Sequence, residues 1–139
     1  MRSTFYLFAV LSVILSIGCE EQFTMDDAPP VTVDIVEMVD LAKSDIEAAD
    51  AWKGKKIETV GYISAEPSMK NDQRFFNVYD SDDQFLLEGF RCFNETTDLS
   101  DLDLTSGERA NVRIVGVLAG WNTFIQTSAD ISNCSITLE

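Results

Sequence analysis

Two stretches, "IETVGYI" at positions 57–63 and "VRIVGVL" at 112–118, place a glycine at the fifth position of a run rich in β-branched residues. Glycine weakens a strand interior, so two such placements need a physical reason. A strand that bends sharply, bulges, or admits another backbone at close range has no room for a Cβ, and a small curved sheet demands this of its strands. Gly61 and Gly116 therefore predict a strongly bent sheet.

The rest of the chain fits that frame. Over 33–51 the apolar residues Ile35, Val36, Met38, Val39, Ala42, Ile46 and Ala49 recur at roughly helical spacing, which predicts one amphipathic helix stopped by Lys53 and Gly54. After Gly54 five strand-like segments follow, at 56–65, 74–80, 85–93, 110–119 and 123–136. "YDSDDQF" supplies a turn between the second and third, "LTSGER" places Gly107 in another, and "TTDLSDLDL" is long enough for a short helical connection. The expected fold is mainly β: a five-stranded OB-type barrel preceded by one amphipathic N-terminal helix. In it the first and fourth strands are neighbours, so the two glycines fall close together, and the third lies beside the fifth.

The N-terminus "MRSTFYLFAVLSVILSIGC" has one charge, Arg2, then an apolar run to Ile17, then Gly18 before Cys19. That is the layout of a secretory signal, and the run is short for a membrane span. "LSIGC" resembles a bacterial lipobox, which implies lipid on Cys19 and cleavage before it, with Ser16 where leucine is favoured. The expected organisation is a lipoprotein signal peptide over 1–18, an acidic tether over 19–32 ending in Pro29 and Pro30, and a single folded domain over 33–139. The expected location is the cell envelope, anchored by lipid to the extracytoplasmic face of a bacterial membrane, where disulfides persist. Cys92 and Cys134 then form an even pair that is either bonded across the third and fifth strands or left as two buried thiols; the disulfide is the expectation.

Charge and residue inventory narrow the chemistry. The net charge is −14, and it becomes −15 without the leader, whose only charged residue is Arg2. Such a field repels phosphate backbones, so nucleic acid is not the expected partner. "KGKK" at 53–56 is the one local basic cluster and reads as a solvated turn. The chain has no histidine, which removes the commonest general base and zinc ligand. "DSDDQF" lacks the glycine and terminal glutamate of a calcium loop, Asp101, Asp103 and Glu108 read as solvated acids, and Ser106 has no base. No catalytic residue, metal site or cofactor is expected.

"AADAWKGKKIETVGYIS", "FRCF", "SGERANVRIVGVL" and "ISNCSI" together resemble the tRNA_anti-like (anticodon-binding-like) OB-fold family of bacterial exported proteins and lipoproteins. The family's elements fall on Ala49 and Asp50, the 52–55 turn, Val60 with Gly61, Cys92 with Phe93, 107–116 and Cys134. The resemblance implies the barrel and no tRNA activity. It leads to a non-catalytic binding or adaptor module whose groove uses Arg74, Tyr79 and Arg91 on the second and third strands, with Trp121 and Asn122 in the last turn. A barrel-end plug is the other reading of Trp121. The alternative function is a purely structural envelope protein or assembly partner that docks through its helix or acidic face. An aromatic groove distinguishes the first reading from the second.

Overall fold

A computed structural model describes residues 28–82, 88–105 and 107–139 of the chain. Cys19, the leader and most of the tether lie outside the described residues. The end of the tether does not: Val31–Thr32 forms a short strand, β1, paired parallel to Ile57 and Glu58. Asp34 caps the first helix, α1 (Ile35–Ser44), by accepting the Glu37 N–H at 3.0 Å. A second aspartate explains why the expected single helix is two. Asp45 takes a non-helical backbone, and its carboxylate accepts the Ala48 N–H at 3.1 Å, starting α2 (Ile46–Asp50) afresh. Such a cap contributes about 0.5–2 kcal/mol. Ile35, Met38, Val39 and Ala42 of α1 are buried, so its apolar stripe is spent on the core.

The remaining strands are β2 (Lys56–Ile63), β3 (Ser68–Lys70), β4 (Gln73–Val78), β5 (Gly89–Phe93), β6 (Ala110–Asn122) and β7 (Ser128–Leu138). They form one open mixed sheet in the order β1-β2-β6-β7-β5-β4-β3, parallel at β1–β2 and β5–β7 and antiparallel elsewhere. The class is mainly β, but the sheet has seven strands and is not the expected closed five-stranded barrel. The chain leaves the β2 ladder after Ile63, before any further pairing with β4 can form, and Asn71 and Asp72, both left-handed at φ 49° and 62°, turn the added strand β3 tightly onto β4. Between β2 and β4 a single bridge remains, with Tyr62 and Tyr79 exchanging N–H···O bonds of 2.8 and 3.0 Å.

Other boundaries shift for similar local reasons. The fifth segment begins at Ser128, because 123–127 is a turn. The start of the third segment, at 85–87, lies outside the described residues. The 96–104 connection forms turns instead of a helix. Asn94 Oδ1 accepts the N–H groups of Thr96 and Thr97 at 2.9 and 2.7 Å, and Asp98 accepts that of Ser100, so side chains outcompete helical bonding.

The glycines sit on neighbouring strands but not together: Gly61 pairs with Val112 and Gly116 with Ile57. Each meets a different neighbour. A Cβ on Gly61 would lie 2.6 Å from the Tyr79 carbonyl oxygen and 2.7 Å from Val78 Cγ1. On Gly116 it would lie 2.5 Å from Ile131 Cγ2 and 2.8 Å from the Ser132 carbonyl oxygen, at a register shift of β6 against β7. The inward residues Ile57, Ile63, Phe76, Val78, Phe90, Val112, Ile114, Leu118 and Ile131 close around this curvature. A disulfide joins Cys92 on β5 to Cys134 on β7, with Cα atoms 5.6 Å apart. The bond spans a sequence separation of 42, and closing such a loop typically adds about 2–4 kcal/mol.

Gly61→Ala and Gly116→Ala should each destabilise the fold by at least about 1–3 kcal/mol, the overpacking range. Gly120 is the control, since its added Cβ would meet only Lys53 Cε at 3.9 Å. Gly120→Ala should be neutral or gain up to about 1 kcal/mol. Chemical denaturation of the three variants checks the contrast.

Candidate functional site

Strand alternation decides what the outer face of the sheet displays. On β4, Phe76 and Val78 point inward and Phe75 and Asn77 turn to the other face, where Phe75 is itself buried at 8% exposure; on β5, Phe90 and Cys92 are inside, leaving the partly buried Arg91 and Phe93 on the outer face. On β7, Ala129 and Ile131 are inside, leaving Asp130 and Ser132 outside. Register aligns these into rows. Phe75 stands opposite Phe93, with ring centroids 5.4 Å apart, while Asn77, Arg91 and Asp130 stand opposite one another across three strands.

The polar row is tied by charge. Arg91 Nε donates to Asp130 Oδ1 at 2.5 Å, and Lys70 Nζ lies 3.7 Å from Asp130 Oδ2. The Arg91 guanidinium sits 5.8 Å from the Phe75 ring centroid, and its side chain is only 13% exposed. Its Nη2 has no hydrogen-bond partner among the described residues. This bridge stands between two clefts of the same face. One, of about 530 Å³, runs past Lys70, Gln73, Phe93, Asn94, Asp130 and Ser132. The other, of about 360 Å³, is bordered by Phe75, Asn77, Tyr79, Arg91, Asn122 and Gln126. Arg109 stacks over the Tyr79 ring at 3.9 Å, which fixes that wall. The result is a trough with an aromatic floor, crossed by one charged bridge and edged by amides.

Of the residues singled out in the sequence, Tyr79, Arg91 and Asn122 border the smaller of these two clefts. Arg74 does not join them. It is five residues from Tyr79, an odd offset that alternation sends to the opposite face. There its guanidinium lies 5.2 Å from the Phe76 ring and donates to the Thr97 carbonyl, and the backbone N–H of Arg74 is taken by Glu95 Oε1 at 3.0 Å. Arg74 therefore pins the turn that follows β5. Trp121 also leaves the groove. Its indole N–H donates to the Ala49 carbonyl at 3.0 Å and its ring packs on the core, so it fastens β6 to α2. Cys19 lies outside the described residues.

Sequence reasoning missed Phe75, Phe93, Lys70 and Asp130. The signal was available in "RFFNVY", where two adjacent phenylalanines in one strand must face opposite ways. The carboxyls held below their ordinary range are elsewhere: Asp98 by hydrogen bonds from Ser100, and Glu139 by the Arg113 guanidinium beside it. Among the described residues no group of three or more cysteines and carboxylates is arranged to hold a metal ion.

Asp130→Ala strands the Arg91 guanidinium on a poorly solvated face. It should cost about 1–3 kcal/mol of stability, and adding Arg91→Met should recover part of that loss, with a coupling of about 0.5–3 kcal/mol. Denaturation of both single variants and the double variant reads the coupling; strict additivity would mean the two side chains do not work as a pair.

No family model, no curated protein and no solved structure matches this chain.

Proposed function

We propose that this chain is a non-catalytic OB-type binding or adaptor module, held by lipid on Cys19 at the extracytoplasmic face of a bacterial membrane, with its ligand in the trough across β4, β5 and β7. The observation that carries the reading is the aligned row Asn77–Arg91–Asp130 beside the Phe75–Phe93 pair. An ordinary solvent face is charged and mixed; an aromatic floor with amide edges is built for contact. Connectivity supports the OB-type assignment. Taking β2, β4, β5, β6 and β7 as the five strands, the first neighbours the fourth, the fourth neighbours the fifth, the fifth runs parallel to the third, and the third pairs with the second. The Tyr62–Tyr79 bridge brings the second back to the first. The motif order resembling the tRNA_anti-like family agrees with this arrangement.

The ligand class follows from charge and lining. A net charge of −14 disfavours polyanions, and the side chains of Asn77, Asn122, Gln126 and Ser128 offer both donors and acceptors. A polar, uncharged ligand with one flat apolar face suits this surface. The purely structural alternative, docking through the helix, has less to work with, because α1 buries four of its apolar residues in the core and leaves Val36 as its exposed one.

Crosslinked pull-down of the full chain from its native envelope tests the reading. Tyr79→Ala should weaken capture by at least about 1 kcal/mol, roughly tenfold at 1.4, with the thermal midpoint checked separately. Capture that survives Tyr79→Ala but fails with Val36→Glu would favour docking through the helix. Cys19→Ser should release the chain into the soluble envelope fraction or leave an uncleaved precursor; retained lipid labelling would contradict the anchor.

A further inference from the structure

The turn at 123–127 projects Phe124 and Ile125, 92% and 84% exposed, the two most exposed large apolar side chains among the described residues. Among the described residues they stay almost fully open to solvent. Asn122 Oδ1 accepts the Phe124 N–H at 3.3 Å, so the turn presents them in a defined way.

Two other features share this end of the sheet. Lys56 pairs with Val117, and the Gly54 N–H donates to the Leu118 carbonyl at 2.8 Å, so the Lys53, Lys55 and Lys56 turn lies beside β6 as it runs on toward the tip. Three of the ten basic residues of a chain of net charge −14 are gathered there. Lys53 Nζ stands 3.0 Å from Asp50 and Lys55 Nζ 4.5 Å from the Trp52 ring centroid. The described chain also enters here: β1 runs parallel to β2 with Val31 beside Ile57, so residues 28–30 approach from the lysine end.

We propose that this end is a membrane-contacting surface, with Phe124 and Ile125 entering the interfacial layer of an anionic phospholipid bilayer and the 53–56 lysines lying over its headgroups. Apolar side chains flanked by lysines are the chemistry of interfacial binding. Salt confines surface fields to about 8 Å, so the local basic end meets the bilayer while the acidic remainder is screened from it. Because Ile125 also borders the smaller cleft, docking would set the mouth of the trough at the lipid surface. The inference rests on the lipid-anchor reading for its orientation.

The test uses the full chain reconstituted into vesicles of phosphatidylcholine with phosphatidylglycerol, carrying an environment-sensitive fluorophore on Ile125→Cys or, as a distal control, on Glu66→Cys. The tip label should shift to the blue and be quenched by doxyl-bearing lipid, the distal label should do neither, and Phe124→Ser should cut the tip quenching several-fold. A tip label as water-exposed as the distal one, on protein that floats with the vesicles, overturns the proposal. The mass of the Cys19 peptide reads the anchor separately. A lipid adduct with an unquenched tip sinks the docking alone, and a quenched tip without an adduct supports the docking and sinks the anchor. Protein that neither floats nor carries lipid sinks both.

Discussion

Backbone crowding at two glycines governs this molecule. At Gly61 the carbonyl of Tyr79 comes so near that a Cβ would stand 2.6 Å from it, and at Gly116 the Ser132 carbonyl would stand 2.8 Å away. Those approaches bring β4 under β2 and press β7 onto β6, so the sheet curls tightly enough for its inward residues to bury one another. Phe76, Phe90, Ile114 and Leu118 are all under 2% exposed as a result. On the outer face the clefts are walled by residues beyond the strands, Asn122 and Gln126 at one and Asn94 at the other.

Curvature alone does not make a binding surface; register does the rest. The parallel pairing of β5 with β7 sets Arg91 opposite Asp130, and the antiparallel pairing of β4 with β5 sets Asn77 opposite Arg91. A one-residue slip in either ladder would send Arg91 into the core and Cys92 outward. The Cys92–Cys134 bond, adjacent to Arg91, resists that slip by joining the two strands. Outer chemistry and inner packing are thus fixed by one register.

Much of this was written locally in the chain. β-Branched runs, the glycine placements, the amphipathic helical stripe and the cysteine pair were legible because each depends on a few adjacent residues. What escaped depends on competition between partners. Asp45 divides the helix because its carboxylate finds Ala48, and Asn94 blocks a connecting helix because it finds Thr96 and Thr97. Arg74 was misplaced for a simpler reason, the neglected parity between it and Tyr79. Lys70 and Asp130, far apart in sequence, needed the sheet before they could be seen as one bridge.

The central claim is that the outer face of β4, β5 and β7, and not the helix, is the contact surface of this protein. Amide hydrogen exchange on the purified full chain, with and without an extract of its native envelope, tests it most directly. Contact through the trough predicts slowed exchange at Asn77, Tyr79 and Arg91 and along 122–128, with α1 unchanged. Slowing confined to α1, with those amides unaffected, would contradict it.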